Sequence, residues 1–261
     1  MNSVNKTLYI PLYGKSHVSQ KGLFLHDEKA QQIWAAEGFP LKGKSRSKWL
    51  AYYMGIRAAV FDDWVSQQLR VWPDATVIHL GCGMDSRVLR VSAPRKKWYD
   101  VDLPPVIRER CRYFTACPGY EMLPGDAGQG DWLDRIPETG RAVIVMEGLS
   151  MYLTPGQLQN LASNLQSHFS QIRLLMDCYT PLAAKLSRYK NPINDVGVTK
   201  VYGVEDPRIL NSAGILFTQE LPMTPTQYIA QLHGTEKRIF EKLYAGSFSK
   251  KLYRLFAYEK N

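Results

Sequence analysis

An α/β fold around a mainly parallel sheet is predicted by three features of the sequence. Residues 75–102, ATVIHLGCGMDSRVLRVSAPRKKWYDVD, join a short β-branched and apolar run, a glycine turn and a second such run into one β-α-β unit. Further apolar runs of strand length recur along the chain with helical patterns between them, giving seven strands in all. Three of those strands end in an acid, Asp102, Asp126 and Glu147. Ligands of an open parallel sheet bind outside the carboxyl ends of its strands, so the three acids are expected to converge on one crevice.

The first unit is the most informative. Residues 76–80 suit a strand covered on both faces, and Gly81-Cys82-Gly83 ends it with a turn that can approach a ligand more closely than any Cβ would allow. Residues 97–101 form the next strand. Asp102 at its end lies roughly twenty residues beyond the glycines, where a carboxylate can accept hydrogen bonds from both hydroxyls of a ribose. A dinucleotide fingerprint requires a third glycine where Ser86 stands, followed here by Arg87. That weakens an NAD-dependent oxidoreductase. S-adenosylmethionine carries a ribose and an adenine without a phosphate, so the glycine turn and the ribose acid suffice for it.

Composition bounds the remaining classes. At 261 residues, 45% hydrophobic and 22% charged, the chain is expected to be one domain with a single sizeable core. No apolar run approaches the roughly 18 residues of a membrane helix. The opening MNSVNKTLYIPLYGK has too short an apolar core for a secretory signal, which makes the cytoplasm the expected location. Cys82, Cys111, Cys117 and Cys178 show no C-x-x-C pairing and no partnered histidine spacing, so neither zinc nor a disulfide framework is expected. The net charge of +9 includes basic clusters at Lys42, Lys44, Arg46 and Lys48 and at Lys250, Lys251 and Arg254. These clusters are short and carry no interleaved stacking aromatics, so a solvated surface is expected in place of a nucleic-acid partner.

In chain order, residues 9–22 read as irregular and 27–37 as a helix opened by an acid. Residues 48–69 form a longer helix carrying Arg57, with Leu50, Tyr53, Met54, Ala58, Phe61, Trp64, Val65 and Leu69 at helical spacing. Pro104-Pro105 opens a helix through 106–115, 120–123 is the third strand, and 141–146 the fourth. Thr154-Pro155 opens a helix over 156–169, followed by a strand over 172–176. A helix over 181–189, a loop over 191–202 and a short helix from 205 to 213 come next. Residues 214–221 and 251–259 are the last strands, paired antiparallel.

These residues together resemble the leucine carboxyl methyltransferase family, and its bacterial tetracenomycin-polyketide type O-methyltransferases most. The blocks are IPLYGKS, LHDEKA, YYMGIRAAVFDDWV, VIHLGCGMDSRVLRV, WYDVDLPPVIRERCRYF, DWLD, VMEGLSMYLT and VYGVEDPRIL, in order along nearly the whole chain. The resemblance implies a class I, Rossmann-like methyltransferase sheet of seven strands. Residues 1–73 would form an N-terminal helical cap and 74–261 the core, with a cap insertion around 180–213. It also implies roles within the S-adenosylmethionine site. Arg57 would pair the methionine carboxylate with help from Lys15, where the family has arginine. Gly81 would accept from the methionine ammonium, with Gly83 in the same turn. Asp102 would hold the ribose, Asp126 the adenine amino group, and Glu147 would face the ammonium.

Each residue also has a structural reading: Asp102 could cap the helix that follows it, Asp126 could serve a turn, Glu147 could be solvated, Arg57 could pair along its helix, and the glycines could serve a turn only. The sulfonium methyl is already activated, so the protein need only position donor and acceptor and exclude water. A carboxylate acceptor arrives ionised, whereas a phenol wants a base. His79 sits mid-strand and reads as a core residue; His17, His26 and His233 fall in presumed cap regions, where surface histidine is the ordinary reading. Tyr152, just after Glu147, is a candidate for the crevice floor or for orienting substrate, with a core tyrosine as its alternative. The expectation is therefore an O-methyltransferase acting on a carboxylate or hydroxyl of a small, acidic molecule. A non-catalytic S-adenosylmethionine-binding module is the remaining rival.

Overall fold

The computed structural model describes residues 8–38, 41, 43–93, 97–137, 140–187 and 200–261. Among them seven strands form one sheet: β1 (Thr76–Leu80), β2 (Trp98–Asp102), β3 (Tyr120–Pro124), β4 (Arg141–Met146), β5 (Gln171–Tyr179), β6 (Leu216–Leu221) and β7 (Tyr253–Lys260), in the order β3-β2-β1-β4-β5-β7-β6. Strands β1 to β5 run parallel, and β7 inserts antiparallel between β5 and β6. Chain order reverses between β1 and β4, which pair Ile78 with Ile144 and Leu80 with Met146. Their carboxyl ends open the crevice expected of such a sheet.

Period-two alternation sends side chains to two cores. Val77 and Val143 face one side with Phe61, Trp64 and Val65; Ile78 and Ile144 face the other with Leu158, Leu161 and Leu165. Each fully buried Ile, Leu or Phe contributes roughly 1.5–3 kcal/mol relative to exposure.

The helices that matter for the site are α1 (Tyr9–Gln20), α2 (Glu28–Glu37), α3 (Lys48–Val71), α4 (Arg87–Arg90), α5 (Pro104–Arg110) and α6 (Pro155–His168). Helix α2 starts where Asp27 accepts from Ala30 N and stops at Gly38 in the left-handed region. Helix α6 opens with a capping box between Thr154 and Gln157.

Helix α1 corrects the expectation of irregular structure over 9–22. Pro11 sits in its first turn, where backbone N–H groups lack helical partners anyway. Gly14 and Gly55 let α1 and α3 touch: a Cβ on Gly14 would lie 2.7 Å from Met54 Cβ, and one on Gly55 2.7 Å from Val18 Cγ2. The glycine that reads as a breaker is a packing residue. Helix α5 ends at Arg110, short of residue 115, and residues 181–186 are helical. The expected helix end at 188–189 and loop over 191–199 lie outside the described residues. No helix among the described residues is long and apolar enough to cross a membrane.

Candidate active site

The turn after β1 places Gly81 and Gly83 in the left-handed region, at φ 64° and 51°. Non-glycine residues pay about 1–2 kcal/mol there. Gly81 N donates to Val101 O at 2.8 Å, so the turn hangs from β2. Gly83 N donates to Asp102 Oδ2 at 2.8 Å, and Leu103 N to Asp102 Oδ1 at 2.7 Å. Burial pushes the Asp102 carboxyl up to about 6, against those two backbone donors. One strand further, Asp126 Oδ1 accepts from Gly128 N at 2.8 Å, and Gly125 N donates to Asp102 O at 2.9 Å, tying the β3 loop to the end of β2.

On the other side of β1, Glu147 follows β4 and is buried. Arg57 Nε donates to its Oε1 at 3.1 Å, and Arg87 Nη2 donates to its Oε2. Burial alone would raise this carboxyl; Arg57, Arg87 and the more distant Lys15 outweigh it and hold it down to about 2. Arg57 also donates through Nη1 to Asp177 Oδ2 at 3.1 Å and to Tyr253 Oη at 2.8 Å. Tyr253 Oη donates to the same Asp177 oxygen at 2.6 Å. Lys15, buried in α1, donates to Asp85 Oδ2 at 2.7 Å, and Asp85 lies 3.0 Å from Arg90. Arg90, Lys15 and Arg87 hold Asp85 well below the usual carboxylate range despite its burial.

These charges floor a cavity of about 470 Å³ whose lining includes Lys15, Arg57, Gly81, Gly83, Glu147 and Tyr152. Six of the eight candidate residues thus share one chamber. Asp102 and Asp126 stand outside its lining, at the ends of the two adjacent strands, with Asp102 bonded to Gly83. The lining also includes Tyr53, Tyr179, Tyr244 and Tyr253 with Leu243 and Leu252. Ring centroids there are 5.0 Å apart for Tyr179 and Tyr253 and 5.3 Å for Tyr53 and Tyr244.

Of the histidines only His79 reaches the lining. It is buried, its Nε2 lies 3.2 Å from Arg87 Nη1, and burial lowers its pKa, which leaves it neutral. His17 lies between the rings of Tyr13 and Tyr52, and His26 pairs with Glu28 on the surface. No cluster of metal-ligating side chains occurs among the described residues.

Asp85, Arg87, Asp177 and Tyr253 were not foreseen from sequence. An aspartate inside the otherwise apolar run LLMDCY was a usable signal, since a charge in a buried strand needs a partner. Tyr253 gave none, because its role depends on β7 crossing back beside β5.

A sheet in this order, with a glycine turn after β1, has the class I S-adenosylmethionine-dependent methyltransferase fold that the resemblance implies. Within that class, the chain belongs to the leucine carboxyl methyltransferase family, whose profile matches residues 8–166. It is 33% identical over 185 residues to the tetracenomycin polyketide synthesis O-methyltransferase TcmP of Streptomyces glaucescens, covering 70% of this chain and 68% of that protein. It is 28% identical over 236 residues to the S-adenosyl-L-methionine-dependent methyltransferase dpfgK of Gibberella zeae, covering 81% and 79%. Its fold matches magnesium protoporphyrin IX methyltransferase (ChlM) from Synechocystis PCC 6803 with bound SAH, at a TM-score of 0.51 and 12% identity over 90% of this chain and 94% of that one.

Proposed function

We propose that this methyltransferase transfers its methyl group to a carboxylate or hydroxyl oxygen of a small, acidic molecule. The observation that carries the reading is the chamber itself: about 470 Å³ lined both by buried charges, Lys15, Arg57 and Glu147, and by tyrosines and leucines. A space of that size suits a small-molecule acceptor beside the donor. The Streptomyces relative's description as an O-methyltransferase supports oxygen as the accepting atom. The net charge of +9 supports an acidic acceptor, which a positive field attracts.

The residues fit S-adenosylmethionine. The glycine turn offers a close backbone approach, and Asp102 keeps lone pairs on oxygens that two backbone donors hold in place. The zwitterionic methionine end of the cofactor finds both signs of charge in the lining: Arg57 and Lys15 for the carboxylate, and Glu147 with the Gly81 carbonyl for the ammonium. Asp126 stands one strand beyond Asp102 for the adenine amino group. Bound there, the cofactor supplies an electrophilic methyl for in-line displacement. The protein's part is to orient the acceptor oxygen, with Tyr152 among the groups facing it, and to exclude water. An ionised carboxylate needs no base.

The test is a labelled-methyl screen of small organic acids and phenols, followed by mild alkali. Label that alkali releases from an acid identifies an ester and a carboxylate acceptor; alkali-stable label on a phenol identifies an ether. Label found only on nitrogen or sulfur overturns the proposal.

A further inference from the structure

Gly83 lines the cavity and is held on both sides by residues that do not. The peptide before it is fixed by Gly83 N donating to Asp102 Oδ2 at 2.8 Å. The peptide after it is fixed by Arg110 Nη1 donating to Gly83 O at 2.9 Å. Arg110 is fully buried at the end of α5, the helix that starts just past Asp102, and it does not line the cavity.

Its guanidinium is itself oriented on three sides. Nη2 donates to Asp100 Oδ2 at 2.5 Å and to Tyr120 Oη at 3.3 Å, and Cζ lies 3.9 Å from the centroid of the Phe114 ring. Asp100 is completed by Trp98 Nε1 at 2.9 Å and Tyr120 Oη at 2.8 Å. A planar fork can serve a carboxylate with one nitrogen and a carbonyl with the other; an ammonium cannot hold both in that geometry.

We infer that Arg110 is a positioning residue for the cofactor: by pinning the Gly83 carbonyl it holds the turn, and through Gly83 N–H it holds the Asp102 carboxylate that takes the ribose. A glycine at φ 51° has wide conformational freedom, and that freedom opposes binding unless the fold removes it beforehand. Asp102 removes half of it and Arg110 the other half. This inference rests on the proposed ribose role of Asp102.

The test is calorimetric titration of S-adenosylhomocysteine into four full-length proteins: wild type, Asp102→Ala, Arg110→Met with Asp100→Asn, and all three substitutions together. Pairing the Arg110 change with Asp100→Asn avoids a buried uncompensated carboxylate. Arg110→Lys, which keeps the charge beside Asp100 but loses the fork, is titrated too and carries the test if the paired variant does not fold. The expected result is about a tenfold loss of affinity in the folded Arg110 variants, and under about a threefold further loss when Asp102→Ala already stands. Faster amide exchange at Gly83 in Arg110→Lys is expected with it. Unchanged affinity in a folded Arg110 variant, or losses that multiply fully with Asp102→Ala, overturns the inference. Indifference of binding to Asp102→Ala instead overturns the ribose assignment.

Discussion

Arg57 on α3 and Glu147 after β4, 90 positions apart in sequence, form a buried ion pair at 3.0–3.1 Å that closes the floor of the chamber. The pair joins the N-terminal helices to the sheet. Arg57 is engaged on a second side by Asp177 and Tyr253, and Glu147 by Arg87, so the two are the middle of a chain of alternating charges.

Glu147→Gln should therefore act on both folding and binding. It leaves two buried guanidiniums short of a counter-charge, and breaking a buried pair costs about 3–5 kcal/mol. Thermal denaturation should show a clear loss of stability, and S-adenosylhomocysteine affinity should fall at least about tenfold in the same protein. An unchanged melting temperature would place Glu147 outside the network described.

The pH dependence of stability follows from the same carboxylate. Its folded pKa, about 2, lies below the ordinary 4.5, so its contribution is complete above about 4.5 and lost as pH falls toward 2. Asp85, also held low, acts in the same direction. Urea denaturation from pH 7 to pH 3 should show stability falling below about pH 4.5, and Glu147→Gln should flatten part of that fall.

Asp102 has the opposite sign. Its carboxyl, at about 6 against an ordinary 3.8, favours the folded state when protonated, so this group's contribution declines as pH rises from about 4 to 6. Ribose hydroxyls favour the ionised form. Cofactor affinity should thus rise with pH up to about 6 and level off above it, and calorimetry on Asp102→Asn should show that inflection removed.

Gly14→Ala should loosen α1 from α3, since the new Cβ would meet Met54 Cβ at 2.7 Å. Overpacking of this kind costs about 1–3 kcal/mol. Because α1 carries Lys15, the loss of stability should come with weaker S-adenosylhomocysteine binding, measurable on the folded fraction by calorimetry.

Tyr253→Phe removes a hydroxyl bonded to both Arg57 and Asp177. Leaving those buried groups one partner short costs about 1–3 kcal/mol. Chemical denaturation should show that loss with the fold otherwise intact by circular dichroism.

Most of the sheet was legible in the sequence because strands buried on both faces, such as TVIHL and RAVIVM, read as mainly β-branched and apolar runs ended by glycine or an acid. Helix α1 was not, because Pro11 and Gly14 read as breakers until the helix they pack against is known. The expected convergence of the strand-end acids holds only for Glu147, which lines the chamber while Asp102 and Asp126 stand outside its lining; the family resemblance pointed to Arg57 and Lys15, which line it. Neither source revealed that Arg57 is shared between Glu147 and Asp177, or that Arg87 and Asp85 knit the floor together. Such partners come from distant segments, and their pairing is a property of the fold.

The most direct test of the central claim, that the glycine turn and the acid ending β2 form the nucleoside half of a methyl-donor site, is titration of S-adenosylhomocysteine and NAD into wild type and Asp102→Ala. The account predicts that wild type binds the sulfur nucleoside in preference to the dinucleotide, and that the substitution weakens that binding by about thirtyfold or more, at least the scale of one charge-assisted hydrogen bond. Equal affinity of the two proteins for S-adenosylhomocysteine, or tighter binding of NAD by wild type, would contradict it.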